Sequence, residues 1–263
     1  HVRTPENAEA VLAADQTDLV SIVRGQIADP HLANKAREGR TADIRPCLSC
    51  NQMCWGRRYR DYWISCLVNP STGREFEWGG DRFKKTNVPK KILVVGGGPA
   101  GLEVSRVAAE RNHHVTLVEA SDRIGGQFRL AGMQPRRGQV LDLLDWYERQ
   151  LEKLGVEVRL NTLMEMEEIQ KFTADVTILA TGSFPPETGF QKALPHVEKL
   201  PGIEHGDFFS AEDVMARRAK LGKRVIMLDE GGNWKGCGTT LKMAEDGHKM
   251  TVITPDPLIG KEL

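Results

Sequence analysis

The sequence predicts an α/β protein built around a parallel sheet, and three observations carry that reading. Short apolar runs at Lys91–Val95, His114–Val118, Asp175–Leu179 and Lys223–Leu228 alternate with stretches of helical period, the pattern of strands buried on both faces by crossover helices. A glycine run, Gly96-Gly97-Gly98-Pro99-Ala100-Gly101, follows the first of these strands directly. Four of the five cysteines, Cys47, Cys50, Cys54 and Cys66, fall within twenty residues just ahead of it.

Composition narrows the class of function. At 263 residues the chain can form one large or two modest domains with proper cores. Lys plus Arg and Asp plus Glu are equal at 36 each, so no global field favours nucleic acid or an anionic membrane. The longest apolar run, around Ile92–Leu102, is too short and too rich in glycine to span a bilayer. These features predict a soluble, cytoplasmic protein acting on a small molecule. The chain starts at His1 with neither an initiator methionine nor a targeting pattern after it, which reads as a piece of a longer polypeptide.

Taken in order, Thr4-Pro5-Glu6 is a helix start, with a hydroxyl cap, proline in the first turn and an acid near the positive end of the dipole. The helix spans Glu6–Ala14, with Ala8, Val11 and Leu12 on one face. Asp18–Val23 reads as a buried parallel strand, with Arg24 at its carboxyl end, and a further helix starts near Asp29-Pro30 and runs to Arg37. The cysteines then follow as C-x2-C-x3-C-x11-C. Soft ligands gathered this tightly point to a metal centre. Three in eight residues plus one remote resembles iron–sulfur spacing more than the paired knuckles of a structural zinc site. Zinc and free or disulfide-bonded thiols are the alternatives. Arg45, Arg57, Arg58 and Arg60 would offset the negative charge of a thiolate-ligated cluster, or else form a solvated surface. A polar connector without helical or strand period runs from Ser71 to Pro89 and marks a domain boundary.

The strand, glycine run, helix (Leu102 to Arg111) and second strand end at Glu119, the order and spacing of a dinucleotide fingerprint. Gly96 permits the tight turn, Gly98 lets backbone approach a pyrophosphate, and Gly101 allows close helix–strand packing. Glu119 would accept hydrogen bonds from the ribose hydroxyls of an adenosine and repel a 2′-phosphate. Gly125, Gly126 and Gln127 form a second glycine turn near the same ligand. The apolar positions from Val140 to Leu154 are core at helical spacing. A strand at Val156–Leu160 and a helix near Glu165–Phe172 lead to the strand Asp175–Leu179. That strand ends in Ala180-Thr181-Gly182, a turn that either closes over a dinucleotide or simply reverses the chain. A second nucleotide-type unit opens at Lys223–Leu228, with a helix to about Gly247 and a strand at His248–Thr254. Its turn, Asp229 to Gly238, completes no fingerprint in any frame: a carboxylate would repel phosphate and Trp234 would fill its space. Cys237 reads as a small buried residue of the following helix.

The run from Thr4-Pro5-Glu6 through Ile27-Ala-Asp-Pro30 and Asn34-Lys-Ala-Arg-Glu-Gly39 to Cys47, Cys50-Asn-Gln and Cys54 resembles the iron–sulfur branch of the old yellow enzyme superfamily. Trimethylamine dehydrogenase and 2,4-dienoyl-CoA reductase are members, and the resemblance covers essentially the whole chain. It implies the end of an FMN-binding (β/α)8 barrel at 1–44, a [4Fe–4S] segment and linker at 45–88, a Rossmann-like FAD- or ADP-binding domain at 89–222, and a degenerate second nucleotide unit at 223–263. It further implies Cys47, Cys50, Cys54 and Cys66 as cluster ligands and Arg24 as an FMN phosphate contact. Gly96, Gly98, Gly101, Glu119, Gly126, Gln127, Thr181 and Gly182 would line the FAD or ADP site. Nearly all of the family's barrel is absent, so no catalytic acid or base can be named. The implied activity of the parent is oxidation of a methylated or simple amine, with electrons leaving through the cluster to an external acceptor such as an electron-transfer protein. An NAD(P)H-dependent enoate or dienoyl-thioester reductase is the second reading, and a non-catalytic electron-transfer fragment the third. The broken second turn favours the amine reading, while the cysteine spacing is closer to the reductases. A homodimer is also compatible.

Overall fold

A computed structural model of the chain describes residues 2–79 and 83–263. It divides into two compact units, one formed by His1–Gly126 with Gln139–Thr181 and the other by Gln127–Gly138 with Gly182–Leu263.

The first unit opens with short helices: α1 (Pro5–Ala13), α2 (Val23–Ala28), α3 (Leu32–Arg37), α4 (Trp55–Tyr59) and α5 (Glu75–Trp78). The start of α1 is the one its sequence demands, with the Thr4 hydroxyl accepting from the Asn7 amide at 3.2 Å and Pro5 in the first turn. The strand expected at 18–23 does not form: residues 18–22 belong to no ladder, and Leu19 and Val23 are 86% and 63% exposed. A strand satisfies its backbone only through neighbours, and this apolar run has none among the described residues. Arg24 consequently lies in the first turn of α2. Within the expected connector, Glu75–Trp78 makes one helical turn, and residues 80–82 fall outside the described residues.

From β1 (Lys91–Val95) onward the chain alternates regularly: α6 (Pro99–Glu110), β2 (His114–Val118), α7 (Gly126–Gly132), α8 (Leu141–Lys153), β3 (Glu157–Arg159), α9 (Met166–Lys171) and β4 (Val176–Leu179). The four strands are all parallel, in the order β3-β2-β1-β4. Successive side chains of a strand face opposite sides, so an uninterrupted apolar strand needs cover on both. Residues Ile92 to Val95 are all buried. Leu93, Val95 and Val118 pack beneath Met164, Ile169 and Phe172, and α6 and α8 supply Leu102, Leu144 and Leu151 to the core, each at most 1% exposed. Because β2 and β4 flank β1 on opposite sides, the order reverses beside β1, and ligands of such sheets sit in the crevice at the carboxyl ends there.

A buried charge network ties the residues ahead of the cysteines to this sheet. Glu103 on α6 accepts from Arg106 at 2.7 and 2.9 Å and from the Tyr147 hydroxyl at 3.0 Å, and Arg45 stands 3.9 Å away. Arg45 also lies over the Trp146 ring at 4.7 Å, and Trp146 Nε1 donates to the Asp43 carbonyl at 3.0 Å. Burial alone raises the Glu103 carboxyl, but the hydrogen bonds and charge of Arg106, with Arg45 beyond, outweigh it and hold the group below its ordinary range. Burial likewise pushes the Tyr147 hydroxyl up, with Glu103 adding to the shift.

The second unit holds α7 from Gln127 onward, together with α10 (Ala211–Met215), β5 (Arg224–Leu228), α11 (Trp234–Glu245) and β6 (Lys249–Ile253). The strands β5 and β6 pair in parallel, Val225 opposite Met250. Cys237 lies on α11 but is only half-buried.

Two outcomes follow for denaturation experiments. Leu117→Ala, at a site with no exposure, should cost about 3 kcal/mol, and Leu19→Ala less than about 0.5 kcal/mol; equal losses would mean that residues 18–22 are a buried strand after all. The Glu103 carboxyl has a folded-state pKa below its unfolded value, so its contribution is complete above roughly pH 4.3 and disappears as pH falls through the folded value. Stability measured from about pH 6 to 3 should therefore fall less steeply in Glu103→Gln than in the parent chain.

Candidate functional site

The glycine turn between β1 and α6 works through the absence of side chains. Gly96 adopts a φ of +109°, and a Cβ there would stand 2.3 Å from the Ala180 carbonyl oxygen. A Cβ on Gly101 would lie 1.9 Å from the Gly96 oxygen. Any side chain at either position would separate α6, β1 and the turn after β4. Gly98 differs: its φ of −74° is ordinary, it caps α6, and a Cβ there would meet nothing within 4 Å. The open space lies in front of the first turn of α6, whose backbone N–H groups have no intrahelical acceptors and carry the positive end of the helix dipole. That arrangement can take an anionic diphosphate against bare backbone.

The second glycine turn is joined to the first. The Gly125 amide donates to the Gly97 carbonyl at 2.8 Å, and a Cβ on Gly126 would come within 3.5 Å of the Gly98 Cα. Glu119 follows β2 directly, its Oε2 accepting from the Gly97 amide at 2.6 Å and its Oε1 from the Ser121 amide at 2.8 Å and hydroxyl at 2.7 Å. The carboxylate is therefore oriented at the edge of the turn, where a ribose diol can compete for it. Thr181 stands at the other side of Gly96, its amide 3.1 Å from the position of a Gly96 Cβ. The first unit thus gathers Gly96, Gly98, Gly101, Glu119, Gly126 and Thr181. Gln127 and Gly182 belong to the second unit, where Gln127 Nε2 donates to the Ser183 carbonyl and Gly182 has a φ of +76°.

Cys47, Cys50, Cys54 and Cys66 line one pocket, together with Arg24 and the apolar side chains of Ile27, Leu48 and Val68. Ser49 and Asn51, on either side of Cys50, hold left-handed conformations at φ +55° and +57°, an uncommon state for non-glycine residues that folds the loop back on itself. The Ser49 amide donates to Cys47 Sγ at 3.4 Å. Burial pushes the Cys66 thiol up, the backbone amides of Val68 and Asn69 oppose the shift, and Cys47 and Cys50 reinforce it. A thiol in that setting becomes a thiolate when a metal supplies the compensating charge. Among the described residues no three His, Cys, Asp or Glu side chains converge closely enough for a single metal ion. A tetrahedral zinc needs all its sulfurs about 2.3 Å from one point, whereas a four-iron cluster takes each thiolate on a different atom. Four thiol donors lining one pocket are a donor set that such a cluster accepts. Arg24 Nη1 donates to Asn51 Oδ1, so this side chain reaches from α2 onto the cysteine loop.

Sequence reading missed two anchors of that loop. Arg3 donates to the Cys47 carbonyl at 3.1 Å and to Asp142 on α8 at 2.7 Å, and Gln139 Nε2 donates to the Leu48 carbonyl at 3.3 Å. The Arg3–Cys47 pair spans 44 residues and the other two more than ninety, separations that no local pattern encodes.

In the second unit the corresponding turn is closed by its own acid. Asp229 follows β5, is 6% exposed, and accepts through Oδ1 from the Gly231 and Gly232 amides at 3.0 and 3.2 Å. Its Cγ lies 2.4 Å from where a Gly236 Cβ would be. Asn233 caps α11 and accepts from the Lys235 amide at 2.9 Å. Arg137 stacks 4.3 Å from the centre of the Trp234 ring. The amide donors that a phosphate would use are satisfied internally by a negative charge.

The fold and these sites define a class, a cysteine-bearing segment joined to a doubly wound nucleotide-binding unit. The family described as pyridine nucleotide-disulphide oxidoreductase matches residues 79–171. The chain is 38% identical to a cinnamate reductase of Clostridium sporogenes, over 95% of its own length and 35% of that protein. It is 37% identical to a probable N-methylproline demethylase of Rhizobium meliloti, over 97% of its length and 36% of that protein. Among solved structures, the 6-hydroxypseudooxynicotine amine oxidase of Pseudomonas geniculata N1 superposes with a TM-score of 0.91 at 30% identity, covering 98% of this chain and 39% of that one. The chain belongs to the iron–sulfur branch of the old yellow enzyme superfamily. It spans roughly a third of the length of the curated relatives it matches. Among the described residues no helix is long and apolar enough to cross a membrane.

Gly98→Ala isolates the role of the turn. It should fold with unchanged stability, since its Cβ meets only open space, and should weaken ADP binding about tenfold or more, equivalent to about 1.4 kcal/mol. Calorimetric titration with ADP checks this; unchanged affinity would mean that the nucleotide does not approach Gly98.

Proposed function

We propose that this chain is the cluster- and nucleotide-binding part of a flavin-dependent amine dehydrogenase or N-demethylase. Its four loop cysteines would hold a [4Fe–4S] cluster and its glycine turn the ADP moiety of FAD, or ADP itself. FMN would be held mainly by residues outside this chain, with Arg24 contacting its phosphate. When bound, these groups supply two-electron oxidation of a carbon next to an amine nitrogen and one-electron transfer away from it. The chain's own part is to position and insulate. Gly96, Gly98 and Gly101 bring bare backbone to the pyrophosphate, Glu119 accepts from the ribose hydroxyls, and the apolar walls around the cysteines keep water from the thiolates. Electrons leave to an acceptor outside the chain, with an electron-transfer protein as the proposed partner and a homodimer as the compatible assembly.

The single observation that carries this reading is the Asp229 carboxylate occupying the amides of its own turn. Nicotinamide dinucleotides place a pyrophosphate at such a turn, and here the donors are taken and the local charge has the wrong sign. Electrons entering as hydride from NAD(P)H would need that site. The second reading, an NAD(P)H-dependent enoate reductase, is favoured by the similarity to the cinnamate reductase.

Anaerobic titration of the full-length protein separates the two. Amines bearing N-methyl groups should bleach the flavin and produce the cluster's EPR signal, while NADH and NADPH leave both unchanged. Bleaching by either nicotinamide would overturn the amine reading and show that the second turn still binds. Asp229→Gly in the same experiment should, by freeing the two amides, move the protein toward nicotinamide binding.

A further inference from the structure

We propose that Arg45 is a positioning residue for the cluster, a buried guanidinium that fixes both flanks of the cysteine segment to α6 and raises the cluster's reduction potential. The inference rests on the reading that Cys47, Cys50, Cys54 and Cys66 ligate a [4Fe–4S] cluster.

Three contacts carry it. Arg45 lies two residues before Cys47, and its backbone amide donates to Asp29 Oδ2 at 2.8 Å, which sets the entry of the segment. Its Nη1 donates to the Val68 carbonyl at 2.8 Å, two residues after Cys66, which sets the exit. Its Nη2 faces Glu103 of α6 at 3.9 Å while the guanidinium plane covers Trp146. One side chain therefore holds together two chain positions 23 residues apart and connects them to the helix that starts at the nucleotide turn. Lysine could not do this, because it has a single donor centre and no planar fork.

The charge is largely shielded from water, the Arg45 side chain being 11% exposed. Both oxygens of Glu103 are already engaged by Arg106 at 2.7 and 2.9 Å, and Tyr147 adds to one of them. Asp29 is paired with Lys35 at 2.6 Å and Glu110 with Arg106 at 2.7 Å. Arg45 holds only the longest of these ion pairs, and it is the member of the network bonded to the cysteine segment on both sides. Its Nη1 meets the Val68 carbonyl at the exit of the cysteine segment, and its Nη2 faces the Glu103 carboxylate of α6. A positive charge in a poorly solvated setting favours the more negative, reduced form of a cluster. Arg45 also fixes the residue whose amide approaches the Cys66 sulfur, since Val68 contributes both that amide and the carbonyl that Arg45 binds. Hydrogen bonds to ligating sulfur tune potential in the same direction.

The test is an EPR-monitored potentiometric titration of the full-length protein with its cofactors bound, poised with a chemical reductant so that turnover is not the readout, alongside iron analysis. Arg45→Met should retain iron and move the cluster midpoint negative by a tenfold change in the oxidised-to-reduced ratio at fixed potential, which is 59 mV for one electron. Arg45→Lys keeps the charge and should shift less, in the same direction, with altered g-values. Glu103→Gln removes the opposing carboxylate and should move the midpoint positive. Should Arg45→Met fail to fold, the sign of the Glu103→Gln shift decides. Midpoints of all foldable variants coinciding with the parent's would overturn the proposal. Absence of iron and of any cluster signal in the unaltered protein would instead overturn the cluster reading on which it stands.

Discussion

Gly96, Gly101 and Ala180 come so close that their backbones are in direct contact, and the rest of the first unit is arranged around that approach. A Cβ at Gly101 would lie 1.9 Å from the Gly96 oxygen, and one at Gly96 would lie 2.3 Å from the Ala180 oxygen. The three positions belong to the head of α6, the end of β1 and the turn after β4, so the contact sets how deep the helix sits on the sheet. It also sets where the helix N-terminus points. The crevice at the strand-order reversal is shaped by this contact, and Glu119 and the Gly125–Gly126 turn then close on it through hydrogen bonds to Gly97. Packing density and ligand geometry have one cause here, which is the lack of two side chains.

The cysteine loop depends on a different kind of constraint. It has little regular structure of its own, apart from α4, and three of its residues, Ser49, Asn51 and Asp61, hold left-handed conformations. Its shape comes from polar anchors: Arg3 and Gln139 on the Cys47 and Leu48 carbonyls, Arg45 on Val68, Asn69 on the Ile27 carbonyl at 3.0 Å. Several of these end on α6 or α8, so the loop borrows rigidity from the nucleotide-binding unit. A buried ion network of this kind gives little net stability against an apolar replacement, but losing one partner leaves a buried charge without compensation. Such a network suits a role in fixing geometry.

The second unit shows how a nucleotide-type turn changes chemistry with its fold intact. The strand, turn, helix and strand are all present and β5 and β6 pair in parallel. The acid at the start of the turn folds inward and binds the turn's own amides. The glycine at 236 leaves room for that carboxylate in the way that Gly98 leaves room in front of α6.

Much of this was legible in the residues. The apolar runs located β1, β2, β4, β5 and β6 within a residue or two, although only β1 is covered on both faces over most of its length, while β4, β5 and β6 leave alternate residues exposed. Glycines at fixed spacing located the nucleotide turn, because only their missing Cβ atoms allow the approach. The broken spacing from Asp229 to Gly238 was visible, though not that the acid would occupy its own turn. What the sequence could not decide was pairing at a distance. Asp18–Val23 carries a strand's composition and finds no neighbour among the described residues, and Arg24 therefore sits in a helix turn beside the cysteine loop. Arg3, Arg45 and Glu103 look like surface charges in one dimension and become anchors only when α6 and α8 bring their partners to them. Local pattern determines which backbone conformations are cheap, and tertiary structure determines which of them find the hydrogen-bond partners that burial requires.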